Sequence, residues 1–184
     1  NSSADLYKID SMMGDIYWHS NTLESLLPDA TDFFISSNIV IAEDEIIFSA
    51  GPSFFSYNLN DGYINWNKKL NSLGTPIIDG KNIFFVTPNG YFIIMDKDVG
   101  KITSSTNILK ILKEKKRKTK ITGFIMGSGK IYSVTMNGYL IVSSAVSGKV
   151  EYFKKIGDPI SAPPIITNGK LYILTENSRI IGFN

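Results

Sequence analysis

The chain has 184 residues, 43% of them hydrophobic and 20% charged, an ordinary balance for a globular fold. It has no cysteine and one histidine, His19, which excludes disulfides, thiolate metal sites and cysteine nucleophiles and removes most histidine-based schemes. The net charge of +2 is too small to imply nucleic acid or a membrane by itself, and no apolar run approaches the ~18–20 residues that span a bilayer.

In chain order, NSSADLYKID shows no basic n-region, apolar core or small-residue cleavage site, so no secretion signal is visible. The chain is expected to be a piece of something longer. LYKIDSMMGDIYW at 6–18 then opens a repeat, as the closing part of a unit whose full form follows three times. The full units are NIVIAEDEIIFSAGPSFFSYNLND, PIIDGKNIFFVTPNGYFIIMDKDV and FIMGSGKIYSVTMNGYLIVSSAVS, ending before Gly62, Gly100 and Gly148. A fourth, PIITNGKLYILTENSRIIGFN, reaches the last residue of the sequence. All align without a gap from Asn38, Pro76, Phe124 and Pro164, at spacings of 38, 48 and 40 residues. Such periods suit four-stranded propeller blades.

Each unit reads as short β-branched and aromatic runs broken by turn residues. Ser128-Gly129 and Asn168-Gly169 mark its first hairpin. Asn89-Gly90 and Asn137-Gly138 mark the second, where a pair that accepts φ > 0 at both positions predicts a type I′ turn. The first unit has Gly51-Pro52-Ser53 there and the fourth Asn177-Ser178, so these two hairpins are expected to turn differently. Gly14, Gly62, Gly100 and Gly148 mark the last hairpin. Three hairpins joining four strands make one antiparallel blade, and a lone blade must stack on neighbours to bury both faces. The fold expected is all-β: a single propeller segment over 1–184, with three full repeats and a partial blade at each end.

The consensus P-I-I-x-x-G-K-I-Y-x-x-T-x-N-G-Y-L-x-x-x-D-x-x-x-G-K-x-x-W resembles the PQQ-like (pyrrolo-quinoline quinone type) β-propeller repeat. Trp18 and Trp66 stand where that repeat places its docking tryptophan. The second full unit has only Ile-Thr-Ser-Ser near that place, and the third has Glu151-Tyr152-Phe153. The resemblance implies two branches. Quinoprotein dehydrogenases hold the quinone and a calcium ion, which needs hard acidic and amide ligands. The BamB type has the same repeat without a cofactor and acts as a periplasmic scaffold, a lipoprotein of outer-membrane β-barrel assembly whose rim loops touch the barrel-inserting subunit. Asp61, Asp96, Asp98 and Asp158 fall in predicted turns, where carboxylates bond their own backbone. With no cysteine and no catalytic constellation, the scaffold is favoured and no cofactor is expected. A truncated quinoprotein and a binding or sensing module of unassigned partner remain the alternatives.

Between the second and third units lies an insertion, TNILKILKEKKRKTK at 106–120. Lys110, Lys113, Lys115, Lys116, Arg117, Lys118 and Lys120 face one acid, Glu114, for a net of +6 against −4 in the rest of the chain. Ile108, Ile111 and Leu112 at helical spacing allow a short amphipathic turn. The stretch reads either as a solvated loop extended by self-repulsion or as a docking loop for an acidic partner or anionic head groups. Nucleic acid fits the charge run but lacks an aromatic groove beside it. The hydroxyls of Ser49, Thr87, Thr135 and Thr175 recur in every copy and are read as bonding backbone at a strand end. His19 is read as a surface imidazole and Met12-Met13 as turn residues. By itself the segment is expected to pair with a second copy, and any membrane attachment would come through a lipid anchor outside it.

Overall fold

The computed structural model describes residues 5–22, 36–72, 74–113 and 118–183. Its strands form five antiparallel sheets, each in chain order. The first holds β1 (Asp5–Ile9) and β2 (Ile16–Asn21). Three four-stranded sheets follow. They are β3 (Val40–Ala42) to β6 (Ile64–Lys68), with β4 (Glu45–Ala50) and β5 (Ser53–Asn58) between, and β7 (Ile77–Asp79) to β10 (Ile102–Asn107), with β8 (Asn82–Val86) and β9 (Tyr91–Asp96). The third is β11 (Ile121–Gly127) to β14 (Val150–Lys155), with β12 (Lys130–Thr135) and β13 (Tyr139–Ser144). The last sheet has three strands, β15 (Ile165–Thr167), β16 (Lys170–Leu174) and β17 (Ile180–Phe183). Three full and two partial blades are therefore present among the described residues, as the repeat requires.

By its internal contacts the chain falls into two compact units. Unit 1 comprises residues 1–76 with 98–100, and unit 2 comprises 77–97 with 101–184. Unit 1 is built on Leu6, Ile46, Phe48, Phe55 and Tyr57, with Trp18 and Leu59 against them. Phe48 stacks on Phe55 at 5.5 Å and on Tyr57 at 5.8 Å. Unit 2 has two clusters, one around Phe84, Phe92, Ile131 and Ile141, the other around Val134, Leu140, Ile160 and Ile173. Each such side chain, fully buried, contributes about 1.5–3 kcal/mol.

The turns correct the sequence reading in three places. At Asn89-Gly90 and Asn137-Gly138 only the glycines are left-handed, with φ of 75° and 78°, so these are not type I′ turns. The Gly90 N–H donates to the Thr87 carbonyl and the Thr87 N–H to the Tyr91 carbonyl, both at 2.9 Å. That is a three-residue loop, a type I turn closed by a left-handed glycine, and Pro88 suits its first central position. The fourth unit does not turn differently: Ser178 takes the glycine's place at φ 62°, with the same pair of hydrogen bonds to Thr175 and Arg179. The type I′ signature belongs instead to the first hairpin, where Ser128 and Gly129, and Asn168 and Gly169, all have positive φ.

The third correction concerns register. Phe55 aligns with Ile93, whose partner is Phe85, yet Phe55 pairs with Phe48 instead of Ile47, the residue aligned with Phe85. The loop in unit 1 is one residue shorter, because Ala50 pairs with Ser53 across Gly51-Pro52 alone. A one-residue slip exchanges the faces of a strand. It sends Ile46, Phe48 and Ala50 into the core of unit 1, so the gap-free alignment fails for β4.

Candidate functional site

The recurrent hydroxyls are turn-building groups. Thr87 Oγ1 accepts from the Tyr91 N–H at 3.1 Å, Thr135 Oγ1 from Tyr139 at 2.9 Å and Thr175 Oγ1 from Arg179 at 3.3 Å. The Ser49 hydroxyl donates to the Ser53 carbonyl and accepts from the Ser72 N–H. Each hydroxyl satisfies backbone that the loop takes out of the ladder.

The second-hairpin turns also anchor what leaves the sheet. After β10 the Ile108 N–H donates to the Gly90 carbonyl at 2.9 Å, and after β14 the Ile156 N–H donates to Gly138 at 2.8 Å. Residues 106 and 107, which the sequence reading assigns to the insertion, end β10, and a 3-10 helix over Ile108–Ile111 follows, capped by Asn107 Oδ1, which accepts from the Leu109 N–H. Leu109 lies so close to Gly90 that a Cβ there would stand 2.5 Å from its Cδ1. The expected amphipathic turn exists, with one exchange: Ile108, Leu109 and Leu112 are buried, whereas Ile111 is 43% exposed. Leu109, which sequence spacing passed over, packs on Gly90 and together with Ile108 and Leu112 fixes this segment to the blade.

From this anchor Lys110 and Lys113 project, and Lys118 and Lys120 lead into β11. Lys115, Lys116 and Arg117 lie outside the described residues. The Lys120 carbonyl accepts from the Met136 N–H at 2.9 Å and Thr119 Oγ1 from the Asn137 N–H at 3.4 Å, so both ends of the insertion meet second-hairpin turns. Two cations outside the insertion reach the same turns. Lys155 Nζ donates to the Asn137 carbonyl and sits 4.9 Å above the Tyr139 ring, and Arg179 pairs with Asp158 at 3.3 Å. Asp158 thus bonds a guanidinium, where the sequence suggested its own backbone.

The repeat glycines and tryptophans meet at the last hairpins. A Cβ on Gly62 would lie 2.6 Å from the Trp18 ring, and one on Gly100 would lie 2.6 Å from the Trp66 ring. The Trp18 indole N–H donates to the Leu59 carbonyl at 3.0 Å. Gly148 faces Ser104, which stands in the tryptophan position of its unit. Gly14 has φ 78° and, among the described residues, no neighbour within 4 Å of a Cβ. His19 Nε2 lies 3.0 Å from Asp5 Oδ1, and its ring stacks on Tyr7 at 4.6 Å. Met12 and Met13 are 93% and 83% exposed.

No group of three or more His, Asp or Glu among the described residues is placed to hold a metal ion. A cavity of about 310 Å³ opens in unit 2 between Tyr132, Leu140, Tyr152, Leu171 and Phe183. Among the described residues lining it, Lys130, Tyr132 and Tyr152 are titratable, and Lys130 pairs with Glu151 at 3.2 Å.

The family described as outer membrane protein assembly factor BamB matches residues 1–106, more than half of the chain. The chain belongs to that family. No curated protein sequence matches it significantly. Among solved structures, BamB from Moraxella catarrhalis superposes with a TM-score of 0.73 at 14% identity, over 99% of this chain and 52% of that one. Saccharomyces cerevisiae Sqt1 gives 0.75 at 12% identity, over 100% of this chain and 54% of its own. The β-propeller domain of Myceliophteria thermophila Cps50 (Swd1) gives 0.73 at 11% identity, over 99% and 59%. Likeness at these identities establishes the fold, a β-propeller segment. This BamB-family chain spans about half the length of the structures it resembles.

Proposed function

We propose that this BamB-family chain is a non-catalytic protein-interaction scaffold, one continuous repeat array that supports assembly of outer-membrane β-barrel proteins from the periplasmic side. Its partner is the barrel-inserting subunit, and the basic insertion at 106–120 is the contact loop. The observation that carries this is the family match over residues 1–106. The polar residues that recur in the repeat support it, because they are spent on building turns. Function must rest on the site and not on the fold, and the described residues of the rim around the insertion offer charge and backbone without a reacting pair.

The test is capture of the full-length protein from its own cell envelope, probed for the barrel-inserting subunit. Recovery that falls when Lys115, Lys116, Arg117 and Lys118 are changed to Glu supports both the scaffold and the loop. Undiminished recovery keeps the scaffold and removes the loop. No recovery of the subunit with the protein folded, or a calcium- and quinone-dependent oxidation by the full-length protein, overturns the reading.

A further inference from the structure

The division into two units also separates the charge. Unit 1 holds three lysines against eleven acidic residues, a net of −8, and unit 2 holds sixteen basic residues against six acidic ones, a net of +10. The formal +2 of the whole chain conceals this polarity. The insertion accounts for +6 of unit 2's charge, so +4 arises elsewhere in that unit.

Two basic residues outside the insertion, Lys155 and Arg179, stand with its lysines on one rim, and Asp158 and Glu176 balance those two in formal charge. The turn at 136–138 receives Lys120 through the Met136 N–H, Thr119 through the Asn137 N–H and Lys155 through the Asn137 carbonyl. The Ile160 N–H donates to the Met136 carbonyl at 3.2 Å and the Glu176 N–H to the Pro159 carbonyl at 2.9 Å, which joins this turn to the one at 176–178 and to Arg179. Leu109 pins the segment bearing Lys110 and Lys113 onto the equivalent turn at Gly90. Asp158 and Glu176 stand among these cations.

We propose that this rim of unit 2 docks an acidic stretch of a partner protein, and that Lys155 and Arg179 belong to the docking surface beside the insertion. The inference rests on the scaffold reading above and names the chemistry of the partner. Interspersed acids suit an acidic peptide whose charges are spaced by neutral residues, whereas a bilayer or a phosphate backbone presents continuous negative charge that Asp158 and Glu176 would oppose. Tyr139, the ring beneath Lys155, is only 4% exposed and offers no stacking platform for a base. The field of unit 1 repels the same partner, so approach is steered to unit 2.

The experiment titrates the intact protein against a fluorescent peptide of alternating Glu and Ser, at low and physiological salt. Binding should weaken about tenfold in Lys155→Glu/Arg179→Glu, a loss of about 1.4 kcal/mol, and to a similar degree in Lys113→Glu/Lys118→Glu. Lys69→Glu, in unit 1, should leave it unchanged, and circular dichroism checks that each variant folds. Binding insensitive to Lys155 and Arg179, or weakened equally by Lys69→Glu, overturns the proposal. So does tighter binding to phosphatidylglycerol vesicles or to a single-stranded oligonucleotide. Capture of the barrel-inserting subunit together with a negative titration would sink this inference alone, whereas failed capture with a positive titration would sink only the assembly role.

Discussion

Ser133 and Ser143 are buried on one face of β12 and β13, and neither hydroxyl has a hydrogen-bond partner among the described residues. The aligned positions of the second unit are Phe85 and Met95, both fully buried. An unmade buried hydrogen bond costs about 1–3 kcal/mol, so Ser133→Ala should raise stability by about 1 kcal/mol in urea unfolding. Ser56 is the contrast: it donates to Glu45 at 2.9 Å and accepts from Asn65 at 3.0 Å, and Ser56→Ala should lower stability by a similar amount. Loss at both sites would show that Ser133 is bonded after all. At the surface, the Asp10 carboxylate accepts from the Tyr17 hydroxyl at 2.7 Å and from the Met13 and Met12 N–H groups. These bonds, Tyr17 first, hold its pKa below the ordinary value and raise that of Tyr17. The stabilisation of this turn is therefore complete above the ordinary aspartate range near pH ~4 and is lost as pH falls through the depressed value. The tyrosine end of the bond is lost as pH rises past ~10. The Met13 amide resonance should follow the acid step, and Asp10→Asn should remove it.

Gly14 and Gly62 form a matched pair at the element scale. Both close a last hairpin in unit 1, with φ of 78° and 74°, but only Gly62 lies under a tryptophan. Gly14→Ala should cost about 1–2 kcal/mol for the left-handed backbone, and Gly62→Ala a further 1–3 kcal/mol as the Trp18 ring is displaced. Equal losses in thermal unfolding would show that the ring moves freely. Ser178, the left-handed residue of the fourth second-hairpin turn, gives the reverse expectation: Ser178→Gly should stabilise by roughly 0.5–1 kcal/mol. Much of this was legible in the sequence, because the glycines, tryptophans and hydroxyls recur at fixed offsets. What was not legible has physical causes. Asn-Gly accepts φ > 0 at both positions without revealing whether the loop holds two residues or three, so the sequence alone leaves the turn type open. Ile46, Ile47 and Phe48 are all apolar, so no alternation shows which of them faces the core, and the slip in β4 left no trace. The charge of the insertion was plain, but Lys155 and Arg179 join it only because the connection between β14 and β15 bonds through Ile160 to the turn at 136–138 and through Pro159 to the turn at 176–178.

Over the whole molecule the sheets share one gradient of burial. The third strands β5, β9 and β13 are buried along nearly their whole length, whereas the fourth strands β6, β10 and β14 are largely exposed. The gradient is steepest in unit 2, where every residue of β13 is buried and five of the six in β14 are exposed. The two strands are equal in length and hydrogen-bonded to each other, so ladder bonding alone would protect them alike. Burial would not, because opening β14 exposes little apolar surface, whereas opening β13 exposes Leu140, Ile141 and Val142. Regions with few buried contacts open at low free energy, and core strands open only near the global limit. Native-state hydrogen exchange should therefore separate them: amides of β14 bonded to β13 should exchange through local opening that denaturant scarcely accelerates, while those of β13 should follow global unfolding. Identical denaturant dependence in both strands would mean that each blade opens as one body. With the expected separation, a fourth strand can loosen while the turns at 88–90, 136–138 and 176–178 stay fixed by the strands inside it. The turns of the rim would then keep their geometry through the motion, whereas Lys155, the last residue of β14, would move with its strand.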